Sequence, residues 1–264
     1  MSDLDRLTEI AAKAERLRAL HAGPRMLVLP NAWDAASAKV FEAAGFAAIA
    51  TTSGGVSAAL GFQDHELAPV DEMAAAANRI AGAVTVPVSV DFEAGYQLTP
   101  GEIVERLLVI GAAGMNLEDS DHHSHAALIP MEVQAERLAA VKAAARAAGV
   151  DFFLNARVDV FLHKLGSAEE QLAEGLRRAR LYQEAGADCI YPIMLADEAM
   201  ISELVEAVGP INVNLRRGGP LSLERVTALG VRRVTYASSL FRETMGALEG
   251  IARELQAEST GGPK

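Results

Sequence analysis

Five short apolar runs in this 264-residue chain end in side chains able to do chemistry. They close on Thr51-Thr52-Ser53-Gly54-Gly55, Asp91-Phe92-Glu93, Glu118-Asp119, Asn155-Ala156-Arg157 and Asn212-Val213-Asn214. Glycines leave backbone N–H groups open to an approaching anion. Asp91 and Glu93 stand two residues apart, so on an extended chain both carboxylates project to one side. Carboxylates from neighbouring runs, with no thiolate or paired histidine among them, describe an oxygen-rich site suited to Mg²⁺, with Mn²⁺ as the other candidate. Arg157 facing such a metal implies an anionic substrate. The same residues also have plainer readings: a strand-end carboxylate can cap the next helix, and Arg157 can pair with Asp159 or Glu118.

Other reactive residues are fewer. His122, His123 and His125 form a cluster able to supply an acid or base, or else a solvated polar loop. Arg216-Arg217-Gly218-Gly219 can hold a phosphate or second carboxylate, or form a solvated turn. Cys189, the single cysteine, sits inside an apolar run and reads as buried packing rather than a nucleophile. The lysines are Lys13, Lys39, Lys142, Lys164 and Lys264, none on an expected strand, which disfavours Schiff-base chemistry.

The elements that must position these groups follow from a recurring junction. A helix-period stretch ends in a small pair, Ala44-Gly45, Ala113-Gly114, Ala148-Gly149, Ala185-Gly186 or Leu229-Gly230, and a short apolar run follows at once. Glycine past a helix end adopts the left-handed conformation that satisfies the last carbonyls, and the chain then enters a strand. Counting outward predicts strands near 26–29, 46–51, 87–92, 115–118, 152–157, 187–194, 211–215 and 233–237, with helices between them such as 130–148 and 168–185. Eight such repeats close most simply into a (β/α)8 TIM barrel of the α/β class, with an extra N-terminal helix over 4–20 capping its base. A doubly wound open sheet competes, but the first turn lacks a glycine-rich dinucleotide fingerprint. One domain over 1–258, a last helix over 240–256 and a frayed tail over 259–264 complete the expectation.

Composition narrows the class. A net charge of -11 and a pI near 5.1 repel a phosphate backbone, so nucleic acid is not an expected partner. A lone cysteine excludes an internal disulfide and a multi-thiolate zinc site. The first twenty residues alternate charge with Leu and Ala, unlike a signal peptide, and no apolar run reaches membrane-span length. The expectation is a protein of a reducing cytoplasm, not of a membrane.

At its chemistry-bearing residues the chain resembles the isocitrate lyase and phosphoenolpyruvate mutase superfamily. The resemblance runs from Leu29-Pro30-Asn31-Ala32-Trp33-Asp34 to Ser238-Ser239-Leu240-Phe241-Arg242, through Thr52-Ser53-Gly54-Gly55, Asp91-Phe92-Glu93-Ala94-Gly95-Tyr96, Asn116-Leu117-Glu118-Asp119 and Asn155-Ala156-Arg157. It implies a barrel in which Asp91 is the direct metal ligand, and Glu93 and Glu118 hold the metal through water. Ser53, Gly54 and Gly55, with Thr51 beside them, would grip the substrate carboxylate, while Arg157 and Asn214 bind its oxygens. Asp64 falls at a mobile-loop aspartate and, with Arg157 and Glu118, joins the implied catalytic set. The chain departs from the pattern after the fourth strand: Ser120-Asp121-His122-His123-Ser124-His125-Ala126 replaces the lyases' Lys-Lys-Cys-Gly-His type motif and lacks the Lys and Asn of the phosphonate mutases. Tyr191-Pro192-Ile193-Met194 likewise replaces an expected carboxylate or histidine, and Glu93 replaces an aspartate.

The implied activity is that of a Mg²⁺-dependent enzyme acting on a small 2-oxo acid through a metal-bound enolate, as a carbon–carbon lyase or decarboxylase. The alternatives are a phosphonate P–C mutase or hydrolase, and a non-catalytic 2-oxo acid binding protein that has lost its acid/base loop. Without the loop cysteine, cleavage of isocitrate is expected to be very weak. The resemblance also implies a homo-oligomer, dimer or tetramer, with C-terminal helices packed between subunits.

Overall fold

The computed structural model describes residues 2–260. Its elements alternate. Helix α1 (Asp3–Ala22) precedes β1 (Leu27–Val28), β2 (Asn31–Ala32), α2 (Ala35–Ala43), β3 (Ile49–Thr51), α3 (Ser53–Leu60), α4 (Val70–Gly82) and β4 (Val88–Asp91). Then come α5 (Pro100–Ile110), β5 (Gly114–Glu118), α6 (Met131–Ala147), β6 (Phe153–Val158), α7 (Val160–His163), α8 (Ala168–Glu184) and β7 (Cys189–Pro192). The chain finishes with α9 (Glu198–Val208), β8 (Asn212–Asn214), α10 (Leu223–Ala228), β9 (Arg233–Thr235) and α11 (Ser239–Ser259).

All ladders are parallel: β2 through β7 pair in chain order as a six-stranded sheet, and β9 pairs with both β8 and β1 in a three-stranded one. The two arcs join where β1 runs into β2 through Leu29-Pro30, and through a single bridge between Ile190 and Ile211. This is the expected TIM-barrel order, its first strand interrupted at a proline that has no N–H for the ladder. No helix among the described residues is long and apolar enough to cross a membrane.

Local sequence sets the element ends. Thr99 caps α5 in a box with Glu102, Pro100 occupies its first turn, and Gly111 ends it at φ 80°. Several expected boundaries move. The ladder reaches back only to Ile49 rather than residue 46, and stops at Pro192 rather than residue 194, because Met194 lies at φ 65°, outside the strand region. The last helix continues to Ser259, past the expected end at 256, and Thr260 donates to Gln256 O. Ser259 is thus the last helical residue and Thr260 its cap; residues 261–264 of the expected tail lie outside the described residues.

The barrel is filled in layers. At its base Leu17 of α1 packs on Leu27, Leu29, Ala48, Ala50, Phe153 and Cys189, and His21 stacks on Phe153 with ring centroids 3.9 Å apart. Helix α1 thus closes the bottom, as its apolar spacing predicts, and Cys189 is buried packing. Moving up the strands by the two-residue period, the inward positions change character: Phe153, Asn155, Arg157 on β6; Gly114, Asn116, Glu118 on β5; Ser89, Asp91 on β4. An apolar floor, a polar middle and a charged rim follow from that alternation.

Candidate active site

A cavity of about 460 Å³ opens at the C-terminal ends of the strands, where chemistry sits in barrels of this kind. Ser53, Gly54, Asp64, Asp91, Arg157 and Asn214 all line it. Asp91 ends β4 and is held on three sides. Its N–H donates to Thr51 Oγ1 (2.8 Å), its Oδ2 accepts from the Ser53 N–H (3.0 Å), and its Oδ1 accepts from Asn116 Nδ2 (3.3 Å). Thr51 therefore positions Asp91 rather than facing the cavity itself.

Thr52 is the N-cap of α3, so Ser53 and Gly54 present the first turn of an eight-residue helix to the cavity; the Ser53 N–H is taken by Asp91, which leaves the Gly54 N–H and the helix dipole to favour an anion. The glycines also answer to sterics. A Cβ on Gly54 would meet Asp64 Oδ2 at 2.7 Å, and one on Gly55 would meet Thr52 Cγ2 at 2.6 Å. The Gly55 N–H donates to Thr52 Oγ1 (3.4 Å), so Gly55 serves the cap and does not line the cavity.

Glu93 departs from expectation. The strand stops at Asp91, and Glu93 takes a left-handed φ of 49°, so its carboxylate does not project beside that of Asp91. It is buried instead, accepting from the Tyr96 hydroxyl and the Glu66 N–H. Burial first, then the Asp64 and Glu118 carboxylates nearby, push its carboxyl up to about 8.

Arg157 satisfies both plainer pairings at once. Its Nε and Nη2 each donate to Asp159 over 2.8 Å in a bidentate pair, and its Nη1 contacts Glu118 Oε2. Glu118 lies behind Arg157, buried, and its carboxyl is raised well above the usual range by that burial, with Asp159, Asp91 and Asp64 adding and Arg157 opposing. The adjacent Asp119 points to the other side, where it accepts from Asp159 N–H, Arg178 and the Tyr182 hydroxyl; burial lifts it to about 6. Asp119 is scaffold for Asp159, which in turn orients Arg157.

The histidines divide. His122, its side chain 9% exposed, places Nε2 2.6 Å from Glu118 Oε1 and so is withdrawn from the solvated loop of the plain reading, whereas His123 is exposed and its Nε2 meets Glu66. His125 is exposed. Asn214 lines the cavity but also accepts the Met194 N–H at 2.9 Å, fixing the turn after β7.

Residues that sequence reasoning did not single out also line the cavity: Asn116, His65, Ser238 and Arg242. Asn116 and Arg242 stood inside the motifs carrying the resemblance, which was the available signal. Arg216 is there too, and its doublet partner Arg217 turns away to pair with Glu243 at 3.0 Å.

Among the described residues no three His, Cys, Asp or Glu side chains converge into a closed coordination sphere. The donor set still fits a divalent cation. Asp64 Oδ1 is buried without a partner, and the Asp64 carboxylate acts on both Glu93 and Glu118 while Asp91 acts on Glu118. Such an oxygen-only set suits Mg²⁺, which keeps several waters and takes few protein ligands. Asp91 is placed to hold it, with Asp64 and Glu118 nearby.

A barrel with strand-end carboxylates, a helix first turn and a buried arginine facing one cavity has the layout of an enzyme active site. The chain belongs to the phosphoenolpyruvate phosphomutase family, whose model matches residues 17–256. It is 28% identical to the 2-methylisocitrate lyase of Escherichia coli (strain K12) over 241 residues, 86% of this chain and 79% of that one. Among solved structures it is similar to a candidate phosphonomutase of Burkholderia cenocepacia J2315, with a TM-score of 0.85, 38% identity, and 91% and 99% of the two chains covered. It is also similar to oxaloacetate acetylhydrolase in complex with the product oxalate, with a TM-score of 0.84, 25% identity, and 97% and 90% covered.

Proposed function

We propose that this chain is a Mg²⁺-dependent enzyme that breaks a carbon–carbon bond in a small 2-oxo acid, as a lyase or decarboxylase. The observation that carries the reading is Asp91, fixed by Ser53 N–H, Asn116 and Thr51 on the floor of a cavity that Arg157 also lines. Bound there, the cation supplies Lewis-acid stabilisation of charge developing on the 2-oxo group. The chain's own residues do the rest. The first turn of α3 receives the substrate carboxylate. Arg157, preorganised by Asp159, offsets negative charge as the bond breaks. Arg216 and Arg242 at the mouth bind a second anionic group, which favours a diacid over a simple monoacid. A relative that acts on oxaloacetate and one named for phosphonate chemistry stand equally near in fold, so the bond broken is decided by assay. Turnover is measured with Mg²⁺ on oxaloacetate, a methylisocitrate-type acid and phosphonopyruvate. Turnover of phosphonopyruvate alone overturns the carbon–carbon reading, and binding without turnover of any favours a 2-oxo acid binding protein.

The family's cysteine acid has no counterpart in the cavity, and His122 is turned to Glu118 rather than lining it. Slow or absent isocitrate cleavage is the expectation. The active form in this proposal is a homo-oligomer built on α11, none of whose residues is buried and whose Met245, Leu248, Ile251 and Leu255 form one exposed apolar stripe.

A further inference from the structure

Beneath the cavity floor the barrel holds a charge that no carboxylate among the described residues touches, Asp91 acting on it only from a distance. Arg233 begins β9 and is 0% exposed. Its Nη2 donates to Ser89 Oγ (3.2 Å) and Asn116 Oδ1 (3.4 Å), both uncharged, while its Nε and Nη1 have no partner among the described residues. No carboxylate ion-pairs with it, in contrast to Arg157 and Arg178 nearby, which hold Asp159 and Asp119. A buried unpaired cation opposes folding unless something else gains from it.

What gains is visible in the hydrogen bonds. Asn116 Oδ1 receives Arg233 Nη2 and, at 2.8 Å, Asn155 Nδ2; this settles which way its amide faces and turns its Nδ2 towards Asp91 Oδ1. The register places the parts in line, Asp91 beside Asn116 and Asn116 beside Asn155. Arg233 therefore stands one side chain below a cavity floor that carries Asp91. We infer that Arg233 is a positioning residue: it orients Asp91 through Asn116 and is the internal counter-charge for the anion bound above. The inference rests on the proposed 2-oxo acid site and adds to it the residue that makes the barrel interior attractive to a dianion.

The test uses the full chain, oxalate as the probe and calorimetry at saturating Mg²⁺, with urea unfolding alongside. Arg233→Met removes the charge and the link, and is expected to weaken oxalate binding at least tenfold while leaving the unfolding midpoint unchanged or higher. Arg233→Lys keeps the charge without the planar fork and should fall between. Wild-type affinity in Arg233→Met, with or without a loss of stability, overturns the inference. Should Arg233→Met fail to fold, Arg233→Gln removes the charge but keeps a polar side chain below an intact Asn116; a tenfold loss supports the inference and wild-type affinity overturns it. The Asp91→Ala variant separates the two levels. If wild type binds oxalate, Asp91→Ala does not, and Arg233→Met binds like wild type, only the role of Arg233 is lost. If wild type does not bind, both readings fall.

Discussion

Asp91 has no packing role: it sits at a strand end with its carboxylate on a cavity floor and its hydrogen bonds made to neighbours that other bonds already hold. Asp91→Ala should abolish Mn²⁺ binding seen by electron paramagnetic resonance and all divalent-ion dependence, with the unfolding midpoint nearly unchanged. Equal metal affinity in variant and wild type would remove the site as drawn. Arg157→Lys should weaken 2-oxo acid binding at least tenfold, about 1.4 kcal/mol, since an ammonium cannot hold both Asp159 oxygens and face the cavity; calorimetry reads this directly. A third residue speaks to pH. His21 is pushed down to about 3, first by burial and then by Arg233, and its Nδ1 lies 2.8 Å from Leu17 O. A histidine that stays neutral when folded but protonates when unfolded contributes stability above its ordinary pKa and loses it as pH falls from about 6.5 towards 3. One such proton costs about 2 kcal/mol by pH 5, and His21→Gln should flatten that slope in urea melts between pH 7 and 5. Asp91, Arg157 and Asn214, which the sequence offers as polar residues ending apolar strands, all line the cavity, though residue type alone did not tell them from helix caps and ion-pair partners. Glu93 misled because the two-residue rule assumes extended backbone, and the left-handed turn at that position breaks it. Arg233 stayed hidden because an inward charged residue at the start of a strand, below the rim, becomes visible only once the register is known.

At the scale of elements, β5 and β6 share the longest ladder of the sheet, five residue pairs, and Gly114 lets its lower end close. A Cβ there would meet Phe153 O at 2.5 Å and Phe153 Cβ at 2.8 Å, and the first of these is backbone that cannot rotate away. Gly114→Ala should destabilise the fold by about 1–3 kcal/mol, as overpacked cores do, read as a lower urea midpoint at an unchanged slope. Ala113-Gly114 announced a helix-to-strand junction in the sequence, yet this glycine is itself the first residue of the strand rather than a cap; Gly111, at φ 80°, ends the helix. The pattern of small pairs led to eight strands where nine form, because Leu29-Pro30 divides the first into β1 and β2, and it left the strand ends imprecise. Hydrophobicity reports burial, and Phe46 and Ile193 adjoin ladders without pairing in them.

For the whole molecule, the exposed stripe on α11 makes a prediction of its own. Leu248→Glu with Ile251→Glu should leave the barrel folded, because neither side chain is buried within the chain, and should convert an oligomer to monomer in sedimentation velocity. An unchanged sedimentation coefficient places the subunit contacts elsewhere. The two arcs of the barrel carry a different consequence. Between β5 and β6 five residue pairs are in register, whereas β7 meets β8 through the single bridge at Ile190 and Ile211. A wall with one thin seam does not breathe evenly. Transient opening should begin there, so the Ile190 amide, bonded to Pro210 O at 3.2 Å, should exchange with deuterated solvent sooner than the amides of Leu154 to Val158. Asn214 and Met194 lie at the upper end of the same seam. An anion bound between Asn214 and Asp91 would span the two arcs, and slower exchange at Ile190 on adding oxalate and Mg²⁺ would show the ligand acting as the missing rung of the ladder.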